Sequence, residues 1–136
     1  MYLIDTDFLI DLSNSKSNAI KKARKIDENP TYKAISTITV QELLRGIYYL
    51  YGEKMELLEE KLQKAEKVMV KFDILPVDYL IAKKAAEIDA YLTRKGKMIG
   101  WADVIIAATA NQYGLSIITK NEKHYRVVPD IKIEPY

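Results

Sequence analysis

The stretch that most constrains this chain is Asp103-Val104-Ile105-Ile106-Ala107-Ala108-Thr109-Ala110, the opening of a helix over 103–113 that Gly114 ends. Apart from the acid at its mouth this helix is apolar nearly all round, so it has no face to give to water and must be covered on every side. The remaining sequence can supply that cover. Short apolar runs at 2–4, 33–36, 72–77 and 115–119 read as strands, and Ile131-Lys132-Ile133 reads as a short edge strand. Between them, 7–12, 18–26, 53–70 and 79–94 carry helical spacing. Thr39 with Glu42 three residues on fits a capping box, which predicts a helix opening there, running to Leu50, with Glu42 in its first turn. Strands alternating with helices predict an α/β fold, a central mostly parallel sheet of four or five strands flanked by helices.

Composition narrows the chemistry. The 136 residues are 49% hydrophobic, which suits one core and a single domain over 1–136. A net charge of +2 is too small to draw the whole molecule onto a polyanion, so any such site must be local. With no cysteine there is no disulfide, thiolate nucleophile or Cys-ligated metal, and with one histidine a Ser-His-Asp triad would rest entirely on His124. Carboxylate chemistry remains. The N-terminus has no basic n-region, and no apolar run approaches the ~20 residues that span a bilayer, so a cytoplasmic protein without a membrane partner is expected.

In open parallel sheets, ligands bind beyond the carboxyl ends of the strands. Asp5 ends the first strand, Glu42 and Asp103 open two helices, and Asn121 follows the fourth strand directly after Thr119-Lys120. Taken singly, an acid in a first helical turn complements the helix dipole, and an Asn after a strand makes a turn. Asp5 resists that reading, because a carboxylate at the end of an apolar run is costly to desolvate unless something pairs with it; a divalent cation would.

Four segments together resemble a known family. They are Leu3-Ile4-Asp5-Thr6-Asp7-Phe8-Leu9-Ile10, Glu42-Leu43-Leu44-Arg45-Gly46, Asp103 through Ala110, and Thr119-Lys120-Asn121-Glu122-Lys123-His124-Tyr125. In order and spacing the chain resembles the PIN-domain ribonucleases of the VapC toxin type. The resemblance implies a PIN-like three-layer fold, an endoribonuclease dependent on Mg²⁺ or Mn²⁺, an RNA substrate, a cognate antitoxin and a homodimer. It carries catalytic roles to Asp5, Glu42, Asp103 and Asn121, with Asp5, Glu42 and Asp103 as metal ligands and Thr6, Asp7 and Thr119 in support. Two positions depart from the family's pattern: Asp7, where Ser or Asn is commoner, adds a negative charge, and Asn121, where many members carry a fourth acid, removes one.

Such acids suit hard cations, which take oxygen ligands and keep several waters. Arg45 shares a helix face with Glu42 and either reaches a substrate phosphate or pairs with a nearby acid. Lys120 either points at RNA or is solvated; Trp101 either stacks a base or packs. His124 is read as structural. Two other readings compete: a PIN-like module that binds RNA or protein without cutting, motivated by the neutral Asn121, and a phospho-acceptor receiver using Asp5, Asp7, Asp78 and Lys120.

Overall fold

The structure is a computed structural model describing residues 1–136. Five strands form one all-parallel sheet in the order β3-β2-β1-β4-β5: β1 (Tyr2–Ile4), β2 (Lys33–Ser36), β3 (Asp73–Leu75), β4 (Ser116–Ile118) and β5 (Lys132–Glu134). The seven helices are α1 (Thr6–Ser13), α2 (Ser17–Asp27), α3 (Thr37–Tyr51), α4 (Met55–Met69), α5 (Tyr79–Arg94), α6 (Trp101–Tyr113) and α7 (Glu122–Tyr125). The parallel sheet with flanking helices agrees with the sequence expectation, and β5 is the edge strand foreseen at 131–133, one residue later.

The strands alternate faces as a period of two requires. Leu3, Ala34 and Ile117 turn toward α5 and α6, while Ile4, Ile35 and Ile118 turn toward α1 through α4. From Val104 through Ala110 every residue of α6 is buried, as its apolar surface demanded. It ends where Gly114 takes the left-handed conformation at φ 64, a geometry that suits a residue without Cβ. No helix is long and apolar enough to cross a membrane.

Three local expectations are corrected. Helix α3 opens at Thr37, not after Thr39: Ser36 is the N-cap, its side chain accepting from the Ile38 N–H at 3.2 Å. Thr39 is therefore a buried residue of the helix, there is no Thr39–Glu42 capping box, and Glu42 lies in the second turn. The third strand is Asp73–Leu75, shorter than 72–77, and α6 begins at Trp101, two residues before Asp103. The short helix α7 was not foreseen; Asn121 stands at its N-cap.

Candidate active site

The strand order places a topological switch point beside β1, with β2 and β4 on opposite sides of it, and such points open a crevice at the carboxyl edge. Asp5 leaves β1 into this crevice as the N-cap of α1, and Thr119 leaves β4 beside it. The Thr119 hydroxyl donates to Asp5 Oδ2 at 2.6 Å, the Thr6 N–H donates to Oδ1 at 2.8 Å, and the Tyr125 hydroxyl lies 3.0 Å from Oδ1. Of the four lone-pair positions on a carboxylate, these bonds leave one open, on Oδ2.

Asp5 is 3% exposed. Burial pushes its carboxyl up to about 6; the hydrogen bonds from Thr119 and Tyr125 work against that shift, and the charges of Asp103 and Asp7 add to it. Asp103 reaches the same crevice from the first turn of α6, with Gly100 as N-cap. Its Oδ1 lies 3.3 Å from the Tyr125 hydroxyl, and its Oδ2 meets His124 Nδ1 at 2.8 Å.

Glu42 comes in from α3. The Thr6 hydroxyl donates to its Oε1 at 2.7 Å and stands 3.2 Å from the Thr39 hydroxyl, so the buried Thr39 is part of the support for Glu42. Asn121 donates through its side-chain amide to Asp7, its backbone N–H donates to the Thr119 hydroxyl at 2.9 Å and its backbone carbonyl accepts from the His124 N–H at 3.1 Å, which leaves the side-chain carbonyl oxygen free.

Asp5, Thr6, Asp7, Ile10, Glu42, Arg45, Asp103, Asn121 and His124 line one pocket. The structure thus brings together the four candidate residues of the sequence reading with Thr6, Asp7 and Arg45. Two candidates stand apart from this pocket. Lys120 turns away and pairs with Asp11 at 2.7 Å, and Trp101 is 71% exposed beside Met98 and Ile99. Asp78, the proposed phospho-acceptor, instead caps α5, accepting from the Ile81 N–H at 3.0 Å, and so is occupied outside the crevice.

Three contributors escaped the sequence reading in the roles the structure shows. Tyr125 reaches both Asp5 and Asp103, His124 touches Asp103, and Thr39 stands behind Thr6. The only signal for the first two was the adjacency His124-Tyr125 after a strand-end Asn. For Thr39, the Thr-to-Glu spacing pointed to a cap instead.

No three acid or histidine side chains converge as a ready chelating cluster. The donor set still fits a small hard cation, which is held by one or two carboxylates and keeps most of its waters. Asp5 and Asp103 flank one hydroxyl, Asp5 keeps one free lone pair, and the charge of Asp103 contributes to holding the Asp5 carboxyl up. A cation placed between them would relieve that repulsion.

Comparison with known proteins agrees with this architecture. Residues 2–128 match the family described as PIN domain. The tRNA(fMet)-specific endonuclease VapC of Salmonella typhimurium is 30% identical over 135 residues, covering 99% of this chain and 97% of that protein. The crystal structure of DNA-bound VapBC from Salmonella typhimurium superposes with a TM-score of 0.85 at 29% identity, covering 98% of this chain and 96% of the other. VapBC2 from Rickettsia felis, bound to a promoter DNA fragment, shares the fold with a TM-score of 0.86 at 22% identity, covering 99% and 98%. An acid-lined crevice at the switch point of a five-stranded parallel sheet, on a chain that matches from its first strand to beyond α7, makes this protein a member of the PIN-domain family, of the VapC toxin type.

Proposed function

We propose that the chain, read as one PIN unit over 1–136, is the endoribonuclease component of a toxin–antitoxin pair, dependent on Mg²⁺ or Mn²⁺. The observation that carries this reading is the juxtaposition of Asp5 and Asp103 across the Tyr125 hydroxyl, with Glu42 on a third side. Asp5, through its open lone pair, and Asp103 would hold the cation, with Glu42 as the third carboxylate in reach. When bound, the ion would supply Lewis acidity toward a water and offset charge accumulating on the phosphorus.

The chain's own groups do the rest. Glu42 has one oxygen engaged by Thr6 and the other free to accept a proton from an attacking water. Arg45 projects into the same pocket from the same helix and suits a phosphate oxygen of the RNA. Asn121, its amide committed to Asp7, offers its carbonyl as a neutral acceptor that orients water without adding charge. The Thr119 hydroxyl and the Thr6 N–H aim the Asp5 carboxyl, and the bond from Thr119 partly offsets the push of burial against its ionised form. The products are two RNA fragments from hydrolysis of one phosphodiester bond.

A toxin–antitoxin complex from Klebsiella pneumoniae is among the solved neighbours, which supports an antitoxin partner, and the proposal sets that partner across the acidic crevice. A homodimer is part of the same proposal: Trp101, Met98 and Tyr79 are exposed apolar side chains at the α5–α6 surface, where a second copy would cover them. Sedimentation at increasing concentration tests it, since a chain that stays monomeric fails it.

The decisive experiment incubates total RNA with purified protein and Mg²⁺ or Mn²⁺, with EDTA, and with the Asp103→Asn variant, then sequences the fragment ends. Metal-dependent cuts that vanish with EDTA and with the variant are expected. Intact RNA under either metal with folded protein would transfer the reading to an RNA- or protein-binding module.

A further inference from the structure

Tyr125 has no solvent exposure, and its ring belongs to the large cluster that packs α5 and α6 against the sheet. Its hydroxyl nevertheless emerges between two carboxylates, 3.0 Å from Asp5 Oδ1 and 3.3 Å from Asp103 Oδ1. A phenol has one proton, so it donates to one of these oxygens at a time. Burial, reinforced by the charges of Asp5 and Asp103, drives its ionisation far above the ordinary tyrosine range, which leaves it a neutral donor at any working pH.

The position of the hydroxyl is set from behind. The ring is gripped by the core, and the backbone is tied by the Val128 N–H donating to the Tyr125 carbonyl at 3.0 Å. Asp5 and Asp103, by contrast, sit on separate elements, carry like charge, and share no other group that touches both. A fixed hydroxyl between them sets their spacing and the rotation of each carboxylate.

We infer that Tyr125 is a positioning residue: its hydroxyl spaces and aims the carboxylates of Asp5 and Asp103, and thereby sets the affinity of the pair for a divalent cation. This rests on the cation-binding reading of the crevice given above. Groups that orient metal ligands from behind are typically worth roughly 10–100-fold in metal affinity.

The test measures Mn²⁺ binding to the full chain without RNA, following the electron paramagnetic resonance signal of the free ion. The parent, Asp5→Asn, Tyr125→Phe and Tyr136→Phe are compared. Tyr125→Phe keeps the buried ring and removes only the oxygen; a thermal melt confirms that it is folded. Tyr136→Phe removes an equivalent hydroxyl, one that binds Asp11 at 2.8 Å and neither Asp5 nor Asp103.

We expect Tyr125→Phe to weaken Mn²⁺ binding by about tenfold or more, with Tyr136→Phe unchanged. RNA affinity in EDTA should be the same for parent and Tyr125→Phe, and cleavage by Tyr125→Phe should recover as Mn²⁺ is raised. Unaltered Mn²⁺ affinity in folded Tyr125→Phe would overturn the positioning role and leave the nuclease reading standing. A parent chain with no Mn²⁺ binding that Asp5→Asn removes would overturn both.

Discussion

On one face of the sheet, α5 and α6 press a cluster of 18 buried residues against Leu3, Ala34 and Ile117; on the other, α1 to α4 gather 10 around Ile4, Ile35 and Ile118. The larger cluster includes Ala107, Ala108 and Ala110 of α6, all without exposure, and it delivers Asp103 and Tyr125. The smaller one leaves Tyr48, Tyr49 and Leu50 exposed along α3, the helix that delivers Glu42. Asp103 meets two side chains supplied from α7, whereas Glu42 is bound by one hydroxyl from α1. The larger cluster thus carries Asp103 and the hydroxyl that stands between it and Asp5, and the smaller carries Glu42, the acid with an oxygen left free for water.

The strongest way to break this contrast is at Asp103. Asp103→Asn should lower RNA cleavage by on the order of 10²–10⁴, with an unchanged melting curve. A retained rate in a gel assay would move the chemistry to the α3 side.

Asp5 sharpens the comparison through pH. Its carboxyl titrates near 6 in the folded chain against 3.8 ordinarily, so the folded state holds the proton more tightly than the unfolded state does. The stability this group contributes is present in full below about pH 4 and is lost as pH rises through about 6. The shift corresponds to about 3 kcal/mol. In metal-free protein, Asp5→Asn should therefore gain stability relative to the parent between pH 4 and 7, by up to that order, in urea titrations. A difference independent of pH would contradict the burial argument.

The packing contrast itself can be probed with added methylenes. Ala107→Leu, on the α6 face, should destabilise by about 1–3 kcal/mol. Ala23→Leu, at a partly buried position of α2 against the smaller cluster, should cost less than Ala107→Leu. Equal losses in chemical denaturation would erase the distinction between the faces. The smallest expected loss of cleavage is at Glu42: Glu42→Gln should slow it by on the order of 10²-fold, because the amide keeps the bond from Thr6 but cannot take the proton of the attacking water. A loss equal to that of Asp103→Asn in the same assay would make the two sides equivalent.

Much of this was legible in the chain. The helix Tyr79–Arg94 and the strand Lys33–Ser36 follow their apolar spacing and breakers to the residue, and Gly114 marks the end of α6 as its freedom at positive φ requires. The start of α3 was misread because Ser36 and Thr39 are both good caps; Ser36 wins because β2 ends on it, and Thr39 then turns inward to Thr6. Asp5 and Asp103 could be named from their places at a strand end and near a helix mouth, whereas Glu42 and Asn121 took their roles from the resemblance of four segments in register, since the capping box that set Glu42 at a helix mouth is absent. Tyr125 could not, since its reach to Asp5 depends on how a four-residue helix docks against α6.

The position of β1 in the middle of the sheet has a consequence for the order of folding. One neighbour, β2, is close by in sequence, but the other, β4, lies far along the chain, and the Thr119–Asp5 bond spans 114 residues. The bond from Tyr125 to Asp5 spans 120. Parallel pairing over such distances is slow and comes late in folding. During folding Asp5 therefore waits for Thr119 and Tyr125, and the crevice is complete only once β4 and α7 have settled beside β1.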